Sequence, residues 1–204
     1  MSVHLVYTLV GLGQLGRFDT IFAAARMPLT GRRVASMLNL MTNEAAKALA
    51  DYIVPQLHQE SATTRKVLAA VPAGGCEYKP SEKCMTGLAL ATHIAAAEAF
   101  FLQGVIDGEF KWSQPDLKTP AEVVAWYDEK VPGLLSQAAA LSAEQLAKPI
   151  KFAVFELPAV EYLALSLKHG IHHRGQLSSY LRPMGGKVPS IYGPSADEGA
   201  GASA

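Results

Sequence analysis

The sequence predicts an all-α protein, a four-helix bundle, and three observations carry that expectation. From Met41 onward, four stretches repeat apolar residues at spacings of three and four. Turn residues separate these stretches, and no segment alternates apolar with polar residues long enough to make a sheet. The composition agrees: of 204 residues 50% are apolar and 18% charged, against about 25% charged in an average soluble domain, so one domain has ample material for a core.

The first helix is expected over about residues 43–70. Ala46, Ala50, Ile53, Leu57, Ser61, Thr64 and Leu68 share a face there, Thr42 or Asn43 can cap its start, and Pro55 should kink it. Pro72, Gly74, Gly75 and Pro80 end it, and Ser81 offers the N-cap of a second helix running to about residue 106. Thr119-Pro120-Ala121-Glu122 opens the third, with a capping hydroxyl, a proline at the first helical position and a reciprocal carboxylate in order. Pro132-Gly133 should kink or interrupt it, and Ser142-Ala143-Glu144-Gln145 caps a further short turn. The fourth helix is expected over about residues 158–182, stopped by Pro183 and Gly185-Gly186. The expected organisation is an N-terminal extension over 1–40, a bundle over 41–192 and a flexible tail over 193–204, which is poor in apolar bulk. The extension is expected to be poorly ordered. It holds Arg17, Arg26, Arg32 and Arg33 against Asp19, a basic composition that suits a transit-type leader or an extension ahead of Met27, Met37 or Met41.

Charge and cysteine usage exclude several classes. Eighteen Lys and Arg balance eighteen Asp and Glu with no basic run, so the electrostatic footprint of a nucleic-acid binder is missing. The most apolar stretch carries His93 and Glu98, which hydrocarbon would penalise, so no membrane partner is expected. Cys76 and Cys84 make neither a disulfide framework nor a zinc cluster, and reduced thiols in a cytoplasm are the expectation.

The histidines carry the chemistry. His169 and His173 lie four apart, about 40° from each other around a helix, so both imidazoles can converge on one ion. Tyr162, Ser166, Gln176 and Tyr180 share that face between apolar neighbours, and polar groups facing inward need partners. His93 stands on an apolar face with Ala89, Ala96 and Ala97 around it. Two readings stay open for it: a hydrogen-bonded core histidine, or a third ligand in a site that keeps open positions for water or substrate. His172 can replace His173 as the partner of His169, and Gln176 and Tyr180 are candidates to support a ligating imidazole. Neutral imidazole suits zinc, nickel, copper or iron. Glu98 projects away from His93 and is expected in an ion pair. Leu167 and Ile171 lie nearly opposite the histidines, as a dimer interface or a covering segment would require.

The segment His-Gly-Ile-His-His-Arg-Gly-Gln-Leu at 169–177 resembles the His-x-x-x-His-Arg-Gly-Gln-Leu signature of the DinB-like (YfiT-like) metalloprotein family. Glu60-Ser61 with Arg65, and Thr86-Gly87 followed by Thr92-His93-Ile94, are similar to its other landmarks, so the likeness covers about residues 41–192. The resemblance implies a four-helix bundle, often a homodimer, with a divalent ion (zinc, nickel or iron) on His93, His169 and His173. It also implies a metal-dependent enzyme acting on a small-molecule substrate with a low-molecular-weight thiol, of S-transferase or isomerase type. The alternatives are a non-catalytic metal-binding protein and a dimeric interaction or stress-response protein.

Overall fold

The computed structural model describes residues 41–199. The expectations for 1–40 and for 200–204 lie outside the described residues. Helix α1 spans Asn43–Ala69, α2 Gly87–Asp107, α3 Pro120–Ala139, α4 Ala143–Ala147 and α5 Ala159–Leu181; a 3₁₀ turn Ala73–Gly75 follows α1. The fold is all-α but for a small hairpin, β1 Pro149–Phe152 and β2 Phe155–Pro158, just before α5.

Local chemistry places most of these ends. Thr42 Oγ1 accepts the Ala45 amide at 3.1 Å and starts α1. Thr119 Oγ1 accepts the Glu122 amide at 3.2 Å, while Glu122 Oε2 accepts the Lys118 amide at 2.7 Å. Ser142 and Gln145 exchange both bonds of a capping box at the start of α4. Pro55 and Pro132 lie inside α1 and α3, and neither ends its helix.

Two expectations are corrected. Helix α2 is capped by Thr86, not Ser81: Thr86 Oγ1 accepts the Ala89 amide at 3.2 Å. The next free amides, Gly87 and Leu88, are taken by the carbonyls of Tyr78 and Cys76 at 2.9 and 3.1 Å, so the preceding loop completes the cap. Ser81 instead meets the Cys84 thiol at 3.3 Å. The hairpin was not expected at all. Its two-residue turn, Ala153-Val154, lacks the Asn-Gly or Asp-Gly signal, and Ala153 adopts φ +52° without a glycine's freedom.

The four long helices bury one core, with α1 and α2 each packed against both α3 and α5. Helix α2 is long and apolar enough to cross a membrane by composition, yet most of it is buried among the other helices. The tail expected to be flexible bonds back to the chain within its described part. Asp197 accepts from Arg182 Nε at 3.0 Å and from the Val188 amide at 2.8 Å, and Ser195 Oγ donates to the Val188 carbonyl at 2.6 Å.

Candidate metal centre

Helices α2 and α5 run antiparallel, since the rings pair in reverse order along them: His93 with His173, Phe101 with His169, and Phe110, just past α2, with Tyr162. This seam closes the gap of 76 positions between His93 and His169. The ring centroids of His93 lie 5.1 Å from His169 and 4.8 Å from His173, and those two are 4.4 Å apart. One nitrogen from each ring falls within 4.8 Å of the others. All three residues are buried, at 3%, 2% and 6% exposure. Among the described residues, no carboxylate or cysteine joins the cluster.

Burial and mutual crowding keep these rings neutral. Desolvation, then His173, pushes His93 down to about 4, and desolvation followed by its three histidine neighbours pushes His169 down to about 2. Desolvation also lowers His173, against a hydrogen bond to Gln176 that pulls it up. Neutral imidazole is the ligating form, so the site has its donors ready at neutral pH. His93 Nε2 is sealed from solvent with no hydrogen-bond partner, a buried polar atom that a metal ion would satisfy. The residues therefore fit a divalent ion.

The supporting residues form a chain. His173 Nδ1 lies 2.9 Å from Gln176 Oε1, and the Gln176 amide nitrogen donates to the Tyr180 hydroxyl at 3.3 Å. With Nδ1 as donor, Nε2 is the nitrogen that can coordinate. The Tyr180 hydroxyl in turn meets the Cys84 thiol, which hydrogen bonds from Ser81 and then Tyr180 hold below the ordinary thiol range. Cys84 was not foreseen here, because nothing in its sequence neighbourhood places it beside the fourth helix. His172, the alternative partner of His169, is exposed beside the cluster, its ring 4.8 Å from that of His173. His58 is exposed on α1.

An aromatic wall extends from the histidines toward the end of α2. Phe100 meets Phe101, Phe110, Trp112 and Phe152 at 5.1–5.4 Å, and Phe110 meets Tyr162 at 4.7 Å. Gly104 permits this approach, since a Cβ there would stand 2.1 Å from the Phe110 ring. The hairpin contributes Phe152, and the Ile150 carbonyl accepts the Tyr162 hydroxyl at 2.9 Å. Trp112, about half exposed, has its ring 6.4 Å from that of His93.

Behind the site, Arg174 is fully buried and ties α5 to α1. Its Nη1 donates to the Glu60 carbonyl at 3.0 Å and to Thr64 Oγ1 at 3.3 Å, and its other nitrogen meets the Glu60 carboxylate and the Tyr192 hydroxyl. Glu98, expected in an ion pair, instead accepts the Tyr127 hydroxyl at 2.7 Å, with Arg174 acting on it as a nearby charge. Burial pushes the Glu98 carboxyl up to about 7, although Tyr127 and Arg174 both pull it down.

A buried three-histidine cluster between two antiparallel helices of a small bundle defines a class of helical proteins whose histidines could hold a metal ion. The chain belongs to the DinB family, whose profile matches residues 41–203. It is 33% identical over 115 residues to the uncharacterized protein YjoA of Bacillus subtilis, an overlap of 53% of this chain and 73% of that one. The crystal structure of that DinB-like protein superimposes with a TM-score of 0.59 at 26% identity, covering 69% of this chain and 96% of the other. A DinB-like protein from Bacillus cereus shares the fold, with a TM-score of 0.60 at 20% identity, over 69% of this chain and 95% of the other.

Proposed function

We propose that His93, His169 and His173 hold one divalent ion (zinc, nickel or iron), and that the protein is a metal-dependent enzyme using a small thiol, of S-transferase or isomerase type. One observation carries this reading: three buried neutral imidazoles converge, and no fourth protein ligand joins them among the described residues. A structural site is usually closed by four protein ligands, whereas three leave room for an exogenous one. When bound, such an ion lowers the pKa of a coordinated thiol or water, so that its anion exists near neutral pH. The chain's own part is to fix the imidazoles, through Gln176 on His173, and to keep water out with the Phe100 and Phe101 wall. The thiol is diffusible in this reading. Both cysteines are free, in keeping with a cytoplasmic location.

Metal analysis after reconstitution tests the first half, and one ion per chain is the expected result. Glutathione, cysteine, coenzyme A and the bacterial sugar thiols, assayed against a chromogenic electrophile, test the second. If no thiol reacts faster with loaded protein than with a His93→Ala variant, the protein binds metal without this catalysis. Trp112 supplies an optical readout, since its ring lies 6.4 Å from His93. Adding nickel is expected to quench tryptophan fluorescence, and Trp112→Phe to remove most of that quenching, leaving the Trp126 signal.

The second reading, a dimeric interaction protein, rests on Ile171, which stands 38% exposed on α5 with half-buried Leu167 one turn away. Light scattering is expected to give two chains per particle, and Ile171→Glu to give one. A monomer at working concentration would end that reading.

A further inference from the structure

Ser166 departs from every other serine inside the described helices. Ser61, Ser136, Ser178 and Ser179 each donate to a carbonyl of their own helix, at 3.1, 3.0, 2.8 and 2.7 Å. Such a carbonyl is always within reach of a helical hydroxyl. Ser166 is 3% exposed, its Oγ is sealed from solvent, and it has no hydrogen-bond partner. An orphaned hydroxyl is a cost to the folded state that a different rotamer could avoid, so its direction asks for a partner that the chain itself does not supply.

Its place says which partner. Ser166 lies about 60° around α5 from His169 and about 20° from His173, one turn nearer the helix start than His169. Helical side chains lean toward the N-terminus, so the His169 ring lies over the turn that carries Ser166. Across the seam, the face of α2 that bears His93 continues through Ala97, a small side chain with no polar atom, to Phe101, whose ring is 5.6 Å from His169. Ala97 and Phe101 offer no acceptor or donor, and Ser166 Oγ makes no hydrogen bond to the His169 ring.

We infer that Ser166 is the hydrogen-bond donor to the anionic sulfur or oxygen ligand that fills the open position of the ion. This rests on the metal reading above and extends it by assigning the protein contact of the exogenous anion. The class of ligand follows from the group: a hydroxyl flanked by carbon and imidazole suits a compact anion, thiolate or hydroxide, that accepts one hydrogen bond.

The test uses the full chain loaded with cobalt, with azide and 2-mercaptoethanol as probes read by visible and charge-transfer absorption. Ser166→Ala is expected to weaken both probes on the order of tenfold. Cobalt affinity, measured by chelator competition, is expected to stay within about twofold, since a hydroxyl outside the ligand set adds little to it. Ser166→Thr, which keeps the hydroxyl, is expected to retain probe binding. Metal-free Ser166→Ala should melt no lower than the parent, because an unpaired group has been removed. Equal probe affinities in parent and Ser166→Ala overturn the inference. So does a parallel fall in cobalt affinity, which would make Ser166 a ligand or a packing residue. A parent protein that binds no cobalt fails the metal reading itself, before any serine variant is compared.

Discussion

Adding zinc or nickel to the metal-free protein at pH 7.5 is expected to raise its unfolding free energy by about 2.7 kcal/mol when the free ion is a hundredfold above its dissociation constant. In a His169→Ala, His173→Ala double variant that gain should vanish, and metal affinity should fall more than about a hundredfold. Losing even a supporting partner of a ligand costs about 10–100-fold, and here two of three ligands are gone. Acid should undo the native state of the metal-free form. His93 titrates near 4 in the folded chain against an ordinary 6.5, so the unfolded chain binds its proton more tightly. The His93 contribution is therefore intact above about pH 6.5 and lost as pH falls toward 4, about 3 kcal/mol in all. A His93→Gln variant should lack the His93 part of the acid slope and keep the part that His169 and His173 supply. Urea unfolding of chelated and loaded protein between pH 7.5 and 4.5 checks both statements. An ion-induced gain that survives in the double variant would place the metal elsewhere.

Arg174→Met is expected to cost about 3–5 kcal/mol, the range seen when one partner of a buried ion pair is removed. The substitution keeps the bulk of the stem. It strips the cation from Glu60, from the Tyr192 hydroxyl and from the neighbourhood of Glu98. The loss should be larger at pH 8 than at pH 5. Glu98 titrates near 7 in the folded protein against an ordinary 4.5, so the native state holds that proton more tightly. Its contribution is full below about pH 4.5 and is lost as pH rises through 7, again about 3 kcal/mol. Without Arg174 the folded-state pKa moves further up and the penalty at pH 8 grows. Glu98→Gln keeps an acceptor for Tyr127 and removes the charge, so it should stabilise the parent at pH 8 and leave it nearly unchanged at pH 4.5. Denaturant midpoints at the two pH values decide the matter. An Arg174→Met loss that is the same at both would mean that packing, not charge, is what the guanidinium supplies. The opposing slopes of His93 and Glu98 overlap between about pH 4.5 and 6.5, so each is best read as the difference between parent and single variant.

What the sequence determined by itself is what depends on neighbours along the chain. Helical period placed His169, His173, Gln176 and Tyr180 on one face of the last helix, because a fixed turn per residue needs no tertiary partner. Thr42, Thr119 and Ser142 marked helix starts for the same reason, since each hydroxyl bonds an amide three residues on. The small alanines around His93 set it apart as a candidate, although its two readings could not be separated from within α2. The tertiary structure decided the rest. That His93 meets the other two rings follows from how α2 and α5 lie against each other, a matter of side-chain packing that periodicity does not encode. Arg174 finds Glu60 across 114 positions, and Glu98 finds Tyr127 on another helix rather than a simple ion pair. Thr86 displaced Ser81 as a cap because loop carbonyls folded back onto the first amides of α2. The hairpin formed on a turn with no glycine or asparagine because its two strands pair and Phe152 packs against the aromatic wall, and those contacts outweigh the local strain at Ala153.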